Sequence, residues 1–160
     1  MKNLKLLVLM FALTVFSGSA MACKCIPKGE LTAEEVTNAS AIFSGKVLKV
    51  ESIEGEMRSK ITFKVQQGLK NLKKGQIITV YTASSSAACG VTFTVGEEWY
   101  LFLSEGNSVS MCSRTTRMTR NIKTMEPQYR KDEKAQQKKN KQVLKQDKIL
   151  IREALKAKQA

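Results

Sequence analysis

Val91-Thr92-Phe93-Thr94-Val95-Gly96-Glu97-Glu98-Trp99-Tyr100-Leu101-Phe102-Leu103 contains both β patterns that set the fold class of this chain. Val91, Phe93 and Val95 alternate with polar residues, the signature of a half-buried strand, because successive side chains point to opposite faces. Gly96 punctuates the chain, and Trp99 to Leu103 then run apolar without a break, which asks for burial on both faces. Working outward, Ile61, Phe63 and Val65 alternate with Thr62, Lys64 and Gln66, and Gln76 to Tyr81 gives a further strand after a Lys73-Lys74-Gly75 turn. Ala41 to Val50 is an apolar run with Gly45 inside it, which predicts a strand with a bulge or sharp bend. Val109 to Cys112 is read as the last strand, after a Glu105-Gly106-Asn107 turn, and Thr32-Ala33-Glu34-Glu35 fits a capping box opening a short helix. Five or six short strands at this spacing predict a mainly β fold, an OB-like Greek-key barrel of about 90 residues.

Residues 1–22 read as a secretory signal peptide. Lys2 and Lys5 form a positive start, Leu6 to Phe16 an apolar core, and Ala20-Met21-Ala22 a small-residue cleavage site. The apolar run is too short to span a membrane, so cleavage leaves no transmembrane segment and a secreted or periplasmic location is expected. Cleavage after Ala22 makes Cys23 the first residue of the mature protein. Lipid attachment at Cys23 is the alternative, but Ala20 stands where lipoprotein signals carry a Leu-like residue.

The chain's 27 Lys/Arg and 14 Asp/Glu, a net +13, are unevenly placed. Cys23 to Ser113 carries 10 basic and 9 acidic residues, whereas Arg114 to Ala160 carries 15 and 5. The expected division is therefore a domain over 23–116 and a basic, Lys-rich tail over 117–160. From Glu126 onward the tail is rich in Lys, Gln, Ala and Leu, with one proline at Pro127 and no glycine, and so favours helix. Val143, Leu144, Leu150, Ile151, Ala154 and Leu155 lie near helical spacing and form a narrow apolar stripe. One reading of the tail is a solvated charged helix or partly disordered extension. The other is electrostatic binding to an anionic membrane surface, an envelope polymer or an acidic protein. Nucleic acid is disfavoured as a partner, because export separates the protein from most of it and the β region is nearly neutral.

Four cysteines in an exported chain predict two disulfides. A Cys23–Cys25 bond would close a very small, strained ring, so both should reach forward to Cys89 and Cys112; ring size leaves open which pairs with which. Stapling is one purpose of such bonds, but two staples converging on the first three mature residues are more than stapling requires. The chain contains no histidine, the commonest metal ligand and general base. No nucleophile–base pair, phosphate loop or zinc-binding cluster stands out, so the protein is read as a binding protein that needs no cofactor, not as an enzyme. Trp99 and Tyr100 are read as core residues rather than a stacking platform.

Cys23-Lys24-Cys25-Ile26-Pro27, the Ala41-Ile42-Phe43-Ser44-Gly45-Lys46-Val47 strand, Cys89-Gly90, the Gly96 to Phe102 segment and Cys112 together resemble the N-terminal domain of the tissue inhibitors of metalloproteinases, within the wider group of netrin-like modules. The resemblance covers Cys23 to Thr116. It implies an OB-fold barrel, a Cys23–Cys89 and a Cys25–Cys112 disulfide, and inhibition of a zinc metalloproteinase. In that family the α-amine and carbonyl of the first cysteine chelate the target's catalytic zinc, which accepts N and O donors at its exchangeable position. The α-amine's reference pKa near 7.7–8.0 makes the neutral, metal-binding form accessible near neutral pH. By the same resemblance Cys23 is the chelator, Cys25 its anchored neighbour, and Ile26 and Pro27 keep the segment extended, as a proline and the residue before it tend to be. Lys24 takes the place of the residue that enters the target's specificity pocket, Thr or Ser in the animal inhibitors. Burying an unpaired ammonium in an apolar pocket costs several kcal/mol, so a protease with an acidic pocket is the expected target. The family's second, disulfide-rich domain is replaced here by the basic tail.

Overall fold

Residues 23–120 and 125–158 are described by the computed structural model; the segment read as a signal peptide lies outside them. A short helix, α1 (Ala33–Asn38), precedes strands β1 (Ala41–Ser52), β2 (Arg58–Lys70), β3 (Ile77–Ala83), β4 (Glu98–Leu103) and β5 (Thr115–Thr119), and a long helix, α2 (Pro127–Ala157), ends the chain. The strands form one antiparallel sheet in the order β3-β2-β1-β4-β5. The fold is thus mainly β with a short helix and a C-terminal helix.

β1 is central because its apolar run can be buried on both sides. Phe43 pairs with Leu101 of β4 and Ile42 with Phe102, and the register against β2 shifts at Ser44/Gly45, where a bulge was expected. On one face Phe43, Val47, Ile61, Phe63, Val80, Trp99 and Leu101 gather with Phe93 and Val109. Edge-on ring contacts run from Phe43 to Phe63 (5.7 Å), to Phe93 (5.4 Å) and to Trp99 (4.7 Å), an arrangement aromatic quadrupoles favour. On the other face Ile42, Tyr100, Phe102 and Met118 meet Val36 of α1 and Ile151 of α2. The unbroken apolar run of β4 therefore divides by alternation between two cores, as its composition requires.

The sheet is not closed, so the expected barrel is seen only as an open, curled sheet. The reason lies in two segments read as strands. Val91 to Val95 joins no ladder: the Val91 amide bonds the Thr82 hydroxyl at 2.9 Å, a turn follows at Thr94 to Glu97, and only Phe93 is buried. Val109 to Cys112 is likewise no strand. It makes single bonds to the Tyr81 and Cys89 carbonyls and then turns at Ser110 to Ser113. The final strand is instead Thr115–Thr119, and a lone parallel bridge from Tyr81 to Ser108 joins the β3 edge to the segment after β4.

α1 opens with the predicted capping box: the Glu35 amide donates to the Thr32 hydroxyl and the Thr32 amide to the Glu35 carboxylate, both at 3.2 Å. At its other end the Lys70 ammonium donates to the carbonyls of Val36, Thr37 and Ala39, the favoured place for a cation on a helix. α2 is solvated along its N-terminal half, and from Asn140 onward it is docked on the sheet rather than a free extension. Ile151 is fully buried, Leu144, Ala154 and Leu155 pack against the second core, and the Asn140 side-chain Nδ2 donates to the Arg117 carbonyl at 2.8 Å. Leu150 of the predicted stripe is left 42% exposed. Ile151→Ala should lower stability by about 2–5 kcal/mol in denaturant unfolding, whereas Leu150→Ala should change it by no more than about 0.5 kcal/mol.

Candidate functional site

The segment Cys23 to Gly29 has no regular structure of its own, and covalent bonds hold its start. Cys23 is bonded to Cys89 and Cys25 to Cys112, with Cα separations of 5.4 and 5.0 Å. This is the pairing the resemblance implies. Closing loops of these lengths stabilises by about 4 kcal/mol per bond in the chain-entropy account, less than additively for two.

Local structure presents each distal cysteine. Cys89 ends a 3-10 turn, Ser86–Ala88, capped by the Ser85 hydroxyl, and adopts a left-handed conformation (φ 62°). Gly90 follows because the carbonyls of Ala83 and Ser85 occupy the space a Cβ would need. Cys112 is held by its own amide, which donates to the Ser110 hydroxyl, and by the Ser113 amide, which closes the turn onto the Ser110 carbonyl.

Between and after the anchors the side chains face solvent. Lys24 and Pro27 are exposed, Ile26 is 87% exposed, and Lys24 makes no ion pair among the described residues. The five residues expected to form the inhibitory wedge, Cys23 to Pro27, therefore lie on one pinned segment, with Lys24, Ile26 and Pro27 facing outward and the two cysteines half-buried. The sulfurs of Cys23, Cys25 and Cys112 lie within 4.8 Å of one another, but each is committed to a disulfide and offers no thiolate to a metal.

A polar clamp that sequence reasoning did not single out continues the segment. The Arg114 guanidinium, two residues beyond Cys112, donates to the carbonyls of Gly29 (3.1 Å) and Glu30 (3.3 Å) and to the Glu35 carboxylate (2.8 Å). Burial alone would push the Glu35 carboxyl up. The hydrogen bonds from Arg114 and the Thr32 amide, with the charges of Arg114 and Lys28, outweigh it and hold the carboxyl below its ordinary range. Next to this clamp, Asp147 of α2 faces Tyr100 in the second core. Asp147 Oδ2, the Tyr100 hydroxyl and Arg114 Nε are buried with no hydrogen-bond partner of ordinary geometry among the described residues. Burial raises the Asp147 carboxyl, helped by the Glu35 charge, against the opposing pull of Tyr100 and Arg114. Burial and Asp147 likewise push the Tyr100 hydroxyl far up. A signal for Asp147 was present in the sequence: it sits between Leu144 and Ile151 at helical spacing, a carboxylate in an apolar stripe.

The outer side of α2 carries a second pattern. Lys134, Lys138, Lys141, Lys145, Lys148 and Arg152 follow one another at steps of four and three, so like charges sit side by side on one stripe. Each such pair costs a helix about 0.2–0.5 kcal/mol. None of the six side chains makes an ion pair or hydrogen bond among the described residues.

Compared with known protein families the chain matches none, and no curated protein matches it.

The two carboxyls should give opposite pH responses. Asp147 holds its proton to a higher pH in the folded chain than in the unfolded one, so its contribution falls as pH rises from near 3.8 through its raised folded value. Glu35 stabilises above the ordinary glutamate range and loses that contribution as pH falls through its lowered value. Asp147→Asn should therefore be more stable than the parent at pH 7, with the difference shrinking towards pH 4 in urea midpoints measured across that range. A parent that is the more stable at neutral pH would contradict the assignment.

Proposed function

We propose that the protein is exported, is not an enzyme, and inhibits a zinc metalloproteinase, with the Cys23 amine and carbonyl of the mature chain chelating the target's catalytic zinc. The observation that carries this reading is the double pinning of an exposed N-terminal segment: both Cys23 and Cys25 are tied to separate loops while Lys24, Ile26 and Pro27 face outward. A chelating group held in advance loses less conformational freedom on binding than one on a free terminus. Arg114 extends the support through the Gly29 and Glu30 carbonyls. The strand order and the bridge from Tyr81 to Ser108 also support reading the sheet as an OB-like Greek-key barrel left open between β3 and β5, in a netrin-like domain whose expected extent of 23–116 runs on to Thr119 to include β5.

Lys24 sets the choice of target. Its ammonium is unpaired among the described residues, so a pocket that receives it must supply a carboxylate or leave a buried charge uncompensated. A second reading, a non-inhibitory netrin-like binding module, is favoured by the unpaired cationic face of α2, which the wedge does not use.

Oxidised protein beginning at Cys23 should inhibit members of a zinc-metalloproteinase panel that have acidic specificity pockets, and a form retaining Ala22 should not, because the added residue removes the free amine. Inhibition by both forms, or by neither, would sink the chelation mechanism. Protons compete with zinc for the amine, so inhibition should weaken about tenfold per pH unit once the pH falls below the point where the amine takes up its proton, for which the reference α-amine value is about 7.7–8.0. Lys24→Ser should shift potency from acidic-pocket towards apolar-pocket enzymes, read as the ratio of inhibition constants.

A further inference from the structure

We infer that the outer stripe of α2 is a binding track for a linear polyanion with repeating phosphate groups, a site separate from the wedge and independent of whether the wedge inhibits. Lys131 extends the stripe of six cations towards the helix N-terminus and Lys156 towards its C-terminus, again at steps of three and four. With 3.6 residues per turn and a rise of 1.5 Å, the eight lie within a sector of about 100° along about 37 Å of helix, roughly one cation every 5 Å. The acidic residues of the helix, Asp132, Glu133, Asp147 and Glu153, all fall outside that sector. Seven of the eight cations are exposed and Lys148 is half-buried.

Docking is what makes the row a surface. Ile151, Leu144, Ala154 and Leu155 face the sheet and the Asn140 side-chain Nδ2 bonds the Arg117 carbonyl, so the rotation of the helix is fixed and the row keeps one direction. The same docking argues against insertion into a bilayer, since Leu144, Ile151, Ala154 and Leu155, most of the apolar face an interfacial helix would bury in lipid, are already packed on the sheet and only Ile149 and Leu150 stay exposed. A single file of charge also suits a polymer laid along it better than a flat surface. No aromatic residue lies in the row, which leaves no platform for nucleobase stacking. Seven of the eight are lysines, compact point charges that bind phosphate without the fork geometry of arginine. The track therefore recognises density of negative charge along a line rather than a particular repeat unit.

Long-chain inorganic polyphosphate is the probe, titrated against the oxidised, exported protein by fluorescence anisotropy at several salt concentrations. If all eight cations engage, log K should fall with log salt at a slope of about −5 to −6, by the coefficient for single-stranded polyanions. Replacing three cations of the row, Lys134→Gln, Lys141→Gln and Lys145→Gln together, should weaken binding about 50-fold at 0.15 M salt and reduce the slope by about two. Glutamine is close to lysine in helix propensity, so the helix should persist, with circular dichroism as the check. Lys73→Gln, Lys74→Gln and Lys139→Gln together remove the same charge from exposed positions off the row and should change affinity by less than about threefold. Equal losses in the two triple variants would reduce the effect to net charge and overturn the track. So would failure of the parent to bind polyphosphate, or tighter binding to vesicles containing anionic phospholipid at equal phosphate concentration.

Discussion

A strand pair that is apolar on both faces must be covered on both faces, and this constraint on β1 and β4 organises the whole molecule. Alternation sends Phe43, Trp99 and Leu101 to one side and Ile42, Tyr100 and Phe102 to the other. The first side is enclosed by the sheet's own curl, with Phe93 and Val109 delivered by irregular segments. The second has no strand to cover it, and α1 and α2 take that role. The basic tail is for this reason part of the fold: without α2, Ile42, Tyr100, Phe102 and Met118 would face water, and apolar burial is the main favourable contribution to folding.

The N-terminal segment obeys a different constraint. It buries little, since Ile26 and its neighbours are exposed, so hydrophobic packing cannot hold it. Two disulfides and the Arg114 clamp do so instead, and they converge from separate loops. That fixed, exposed placement of Cys23 to Pro27 is what the proposed recognition role rests on.

Charge is organised around the same covering helix. One side of α2 brings a carboxyl, Asp147, into an apolar seam where its charged form is disfavoured, and the outer side gathers lysines that repel one another. Neither arrangement favours the isolated helix. Both are tolerated because Ile151 and its neighbours stabilise the docked state by more than these terms cost, and both are the kind of local expense that marks a surface or seam with a use beyond stability.

Periodicity in the sequence was enough to specify the mainly β class, the positions of β1 to β4, the bulge at Gly45, the capping box at Thr32 and the helical tail, because each depends on neighbours within a few residues. It also set the number of disulfides and excluded a Cys23–Cys25 bond, since ring strain is local. It misjudged Val91 to Val95 and Val109 to Cys112, whose alternating or apolar patterns satisfy a strand but whose backbone partners lie far away in the chain. Whether five strands close into a barrel depends on two edges that are remote in sequence, and the tertiary structure leaves β3 and β5 unpaired, the one bridge from the β3 edge reaching Ser108 in the segment after β4. The clamp of Arg114 on Glu35 and the burial of Asp147 against Tyr100 were equally beyond local pattern. A charged residue reads as exposed until packing brings a partner, or a core, to it.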